Sequence, residues 1–65
     1  MAKAIIKSDV EFVMGVRNML VAVTRNPESA KVFESEAAAR EWLADHLGAG
    51  YGFNGAGFNV VVKEA

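Results

Sequence analysis

The chain has 65 residues, 52% of them hydrophobic, with seven basic and eight acidic side chains and a net charge of −1. A chain of this length buries only about 60% of its unfolded surface, so residues 1–65 make one domain that is marginal as a lone monomer. Zero cysteines and a single histidine exclude disulfides and a Cys/His metal centre, and the near-neutral charge leaves no basic footprint for nucleic acid or an anionic membrane. Homodimerisation is the remaining common route to stability for so small a core.

Met1 to Lys7 lacks the long apolar run and cleavage site of a signal peptide, and nothing later approaches the length of a membrane span; a soluble, cytoplasmic protein is expected. Ala2 to Lys7 is short and β-branched and reads as a first strand, placed near a sheet edge because Lys3 and Lys7 discourage edge pairing. Residues 9–23 are ambiguous. Ser8-Asp9-Val10-Glu11 has capping-box spacing, and Phe12, Val16, Met19, Leu20 and Val23 form a helical stripe, so a helix is one alternative. Period two fits better, with Val10, Phe12, Met14 and Val16 on one face and Asp9, Glu11, Val13, Gly15 and Arg17 on the other. A tight turn at Arg17-Asn18 then returns the chain as a strand over Met19 to Thr24.

Asn26-Pro27 starts a turn or a single helical turn, because asparagine caps and proline is tolerated at the first helical position. Lys31-Val32-Phe33 is too brief to be more than a connecting strand. Ser35 as N-cap, Glu36 in the first turn and the run Ala37-Ala38-Ala39 predict a helix over about 35–47, stopped by Gly48. Its apolar side carries Ala39, Leu43 and Leu47 with Ala38 and Trp42; Glu36, Arg40, Glu41 and Asp45 take the opposite side, and Glu36 and Arg40 make a favourable i, i+4 pair. Gly48 to Gly57 holds five of the six glycines, and Asn54-Gly55 within it is a type I′ hairpin dipeptide. Asn59 to Lys63 is the last strand. The expected fold is α+β: an antiparallel sheet of three or four strands with the helix on one face. Ile6, Phe12, Val21, Phe33, Leu43, Leu47, Val60 and Val62 form its core, and Ala39 and Trp42 lie at the helix–sheet contact.

Candidate chemistry is sparse. Gly50, Gly52 and Gly55 spell G-x-G-x-x-G, but here the run follows a helix and opens a strand, the reverse of a dinucleotide loop, so the glycines serve backbone shape. His46 near the helix C-terminus has no serine or cysteine partner in a recognisable motif and reads as a favourable charge site at the negative end of a helix. Tyr51, Phe53 and Phe58 interleaved with glycine suggest a base-stacking platform, yet the companion basic groove is missing.

The pattern Thr24-x-Asn26-Pro27-x-x-Ala30-x-x-Phe33-x-Ser35-x-x-x-Ala39-x-x-Trp42-Leu43 resembles one met in small phage and prophage proteins and covers about a third of the chain. There a β-hairpin leads through a turn to a single helix and a last strand. The resemblance implies an accessory inhibitor of host machinery, of the anti-CRISPR type, that works by blocking a surface; it carries over no functional residues. Together these readings give a non-enzymatic protein-binding module without a cofactor or metal, with a nucleic-acid-binding domain using the aromatic–glycine loop as the alternative. The expected contact residues are Tyr51, Phe53 and Asn54 in the loop, then Glu36, Glu41 and Asp45 on the exposed helix face. The expected partner is a protein, a host defence complex under the resemblance, with neither nucleic acid nor membrane, and a homodimer is compatible with the length.

Overall fold

The structure, a computed structural model, describes residues 2–63. Strands β1 (Lys3–Lys7), β2 (Phe12–Arg17), β3 (Leu20–Thr24) and β4 (Asn59–Lys63) form one antiparallel sheet in the order β3-β2-β1-β4, and helix α1 (Glu36–Asp45) packs on one face against β1 and β4. This is the expected α+β architecture, with strands rather than a helix over residues 9–23.

Local chemistry sets the helix ends. The Ser35 hydroxyl accepts from the Ala38 N–H at 3.1 Å, and Arg40 pairs with Glu36 at 2.6 Å across one turn. At the C-terminus the His46 N–H is shared between the carbonyls of Trp42 and Leu43, which tightens the last turn. Upstream, the Asn26 side chain accepts from the Glu28 N–H at 2.9 Å and starts a single 3-10 turn, Pro27–Ser29.

Four expectations are corrected. The first strand is central, not near an edge, because β4 pairs along its whole length from Lys3↔Lys63 to Lys7↔Asn59. On its other side β1 meets β2 only at Lys7↔Phe12, after which the two diverge. The segment 31–33 fills that gap: Ala4 and Phe33 exchange backbone hydrogen bonds at 3.0 and 2.7 Å, and the Lys31 N–H donates to the Val13 carbonyl at 2.8 Å.

Second, the inward face of β2 is the one carrying Val13, which is fully buried, whereas Val10, Met14 and Val16 are exposed and Phe12 is half-buried. Pairing accounts for the inversion. Phe12 faces Lys7 across the ladder and therefore shares the side of the sheet away from the helix. A register shift between Val13 and Gly15 then inserts one residue, and Gly15 takes φ 134°, a conformation that favours glycine.

Third, the type I′ turn is not at Asn54-Gly55. It lies at Asn18-Met19, both at positive φ (54° and 66°), one residue later than the expected Arg17-Asn18. Asn54 is outside the positive-φ region; its side chain instead accepts from the Ala56 N–H at 2.8 Å, a local turn that competes with a hairpin. Fourth, Leu47 and Val62 are exposed rather than core residues.

The buried core is Ala4, Ile6, Val13, Phe33, Ala39 and Phe53, with Val21, Trp42, Leu43, Phe58 and Val60 packed against it. The helix covers the β1–β4 half of the sheet. The glycine-rich loop doubles back beside it, held by a bridge between Gly48 and Phe53, and drops the Phe53 ring into the core edge-on to Phe58 at 5.1 Å.

Candidate functional site

The six residues expected to contact a partner do not form one surface. Phe53 is 8% exposed and packs as a core residue. Tyr51 is half-buried, its ring 4.7 Å from that of His46, and Asn54 is exposed beside a shallow depression lined by Gly48, Gly52, Phe53 and Asn54. Glu36, Glu41 and Asp45 are exposed on α1, and Glu36 is engaged with Arg40.

Tyr51 ends a row of rings that begins in the core. Phe33 lies 5.6 Å from Trp42, Trp42 stacks on His46 at 4.0 Å and 15°, and His46 leads to Tyr51. The His46 Nδ1 sits 2.7 Å from the Trp42 carbonyl oxygen; a carbonyl only accepts, so Nδ1 carries the hydrogen in this contact. The row fastens the start of the loop to the helix end, which accounts for this histidine structurally.

Part of the exposed apolar surface lies on the β2–β3 hairpin, and sequence reasoning missed it. Met14, Val16, Met19, Leu20 and Val23 are all exposed there, from 37% at Met14 and Val23 to 78% at Met19. Met19 is the extreme case. It occupies the second position of the type I′ turn at φ 66°, where glycine is the favoured residue and a side chain adds strain of about 1–2 kcal/mol. Its side chain therefore contributes little to the core and projects from the hairpin tip. The available signal was the Arg17-Asn18-Met19-Leu20 turn itself: a two-residue hairpin loop with methionine where glycine is preferred.

The charges within the strands are of one sign, although Asp9 and Glu11 stand in the β1–β2 turn and Arg40 in α1. Every charged residue in the four strands is basic, namely Lys3, Lys7, Arg17 and Lys63, whereas Glu34, Glu36, Glu41 and Asp45 lie in α1 or just before it. The Lys7 ammonium lies 5.6 Å from the Phe12 ring centroid and the Lys31 ammonium 5.3 Å from that of Phe33, so part of the basic charge rests on aromatic faces. No helix among the described residues is long and apolar enough to cross a membrane. No known protein family, curated protein or solved structure matches the chain.

Proposed function

We propose that this chain is a non-catalytic protein-binding module whose primary contact is the tip of the β2–β3 hairpin. The observation that carries the reading is Met19, 78% exposed and held at φ 66°. Rigid scaffolds bind through such projecting turns because the backbone is preorganised and a methionine side chain adapts to the partner's surface. Val16 and Leu20, both exposed, flank the tip on opposite faces of the hairpin, because they belong to successive pairs of the ladder. The contact residues therefore move from Tyr51, Phe53 and Asn54 to the hairpin, with the exposed helix carboxylates Glu36, Glu41 and Asp45 as a separate polar surface.

The resemblance to small phage proteins gives this module a setting: occlusion of a functional surface on a host defence complex, the mode of an anti-CRISPR-type inhibitor. What supports that setting is size and the surface character of the site. The test is capture from a bacterial lysate with the native protein and with Met19→Gly, which removes the side chain and relieves the turn. A partner retained by the native protein and lost with the better-folded variant supports the hairpin site. Equal capture by both removes the tip from the interface.

A further inference from the structure

The sheet has two faces, and this chain covers one. The ladder pairs Ile5↔Val61, Lys3↔Lys63 and Lys7↔Phe12, and directly opposed residues share a face, so Lys3, Ile5, Lys7, Phe12, Val61 and Lys63 all lie on the side away from α1. Val32 joins them, since its neighbour Phe33 points into the core beside Ala4 and strand side chains alternate. The result is an apolar centre with lysines at both ends, and by the same alternation Glu34 joins the Lys3 end. Val32 and Val61 are 42% and 39% exposed, and no acidic residue belongs to any strand.

We infer that this open face receives an acidic amphipathic helix of the partner protein, which completes a third layer over the sheet; the inference rests on the protein-binding reading above. Charge complementarity selects the sign. Lys3, Lys7 and Lys63 outnumber Glu34 on this face, and Lys3 and Lys63 oppose each other directly, so the face is net basic. Backbone hydrogen bonding selects the form. The N–H and C=O groups of β1 already pair with β4 and with Phe33, so an occupant lying over the face must satisfy its own backbone, as a helix does and an extended peptide does not. Geometry sets the spacing. Lys3 and Lys7 are four residues apart on a strand, about 13 Å, which carboxylates eight positions apart on one side of a helix approach at about 1.5 Å per residue.

Single-stranded nucleic acid fits this face less well. Base stacking needs successive aromatic side chains, and Phe12 is the one aromatic ring on this face, with the Lys7 ammonium already over it.

The probe is a synthetic amphipathic peptide with leucines at i, i+3, i+4 and i+7 and glutamates flanking that stripe at an eight-residue interval. Its binding is read by fluorescence anisotropy and by amide shift mapping on the full chain. The expected result is saturable, salt-sensitive binding with shifts concentrated at Ile5, Phe12, Val32 and Val61 and absent from α1. Lys63→Glu is expected to weaken the peptide about tenfold while raising the melting temperature, because a carboxylate at position 63 faces Lys3; the gain in stability separates lost binding from lost folding. Absence of saturable binding, or shifts confined to the hairpin tip, overturns the inference. So does tighter binding of oligothymidylate than of the peptide, or a concentration-dependent dimer that protects the same amides. If any of these occurs while lysate capture still depends on Met19, the protein-binding module stands and only this face is reassigned.

Discussion

Replacing Met19 by glycine is expected to stabilise the fold while abolishing partner binding, an uncommon combination that follows from the turn geometry. Met19 is 78% exposed, so removing its side chain gives up little burial. Its φ of 66° relieves about 1–2 kcal/mol when the Cβ is removed, against which the extra unfolded-state freedom of glycine costs about 0.5–1 kcal/mol. The net gain lies between about 0 and 1.5 kcal/mol, and its midpoint of about 0.75 kcal/mol raises the melting temperature of a domain of this size by about 3–6 °C. Thermal melts and urea titrations of the native chain, Met19→Gly and Met19→Ala measure it, with the alanine variant expected near the native value because it keeps the Cβ. A glycine variant no more stable than the alanine variant would refute the strain argument, and with it the reason for assigning the tip to binding.

Three further outcomes follow from packing and caps. Phe53→Ala is expected to cost about 3–5 kcal/mol, enough to unfold so small a domain, whereas Tyr51→Ala loses about 1 kcal/mol through its ring contact with His46; circular dichroism on the two variants separates a core ring from a half-buried one, and similar losses would show that the loop is placed wrongly. Ser35→Ala removes the acceptor for the Ala38 N–H and lowers stability by about 1 kcal/mol in urea titration, with Ser35→Asp close to native; an unchanged midpoint in the alanine variant contradicts the cap. Gly55→Ala is expected to cost about 1–2 kcal/mol from its φ of 72°. The new Cβ falls 2.6 Å from the exposed Leu47 Cδ2, which swings aside, so shortening Leu47 to alanine in the same chain restores little.

The single helix, its N-terminal cap and its 36–40 ion pair were readable because each is a contact within four residues in sequence, as was the Asn26 cap of the 3-10 turn. The strand assignment of β2 followed from period two, which the sequence carries whether or not the sheet is known, and that of β3 from the return of the chain after a tight turn. Which side of a strand turns inward is another matter: period two offers two faces, and pairing of Phe12 with Lys7 chose the one that buries Val13. A residue inserted at Met14-Gly15 has no composition signature beyond the glycine, so the bulge was visible only in the ladder. The central position of β1 was hidden for the same reason, since lysines signal an edge only when no other strand arrives, and β4, more than fifty residues later, does arrive. The candidate site shows the same division. Local chemistry pointed to the glycine-rich loop, whose aromatic residues looked free to bind, but the bridge from Gly48 to Phe53 spends one of them on the core. The sequence by itself determined the elements and their local caps, because those depend on neighbours along the chain; strand order, the buried face of each strand and the surface left open to a partner depend on contacts between distant residues, and the tertiary structure alone decided them.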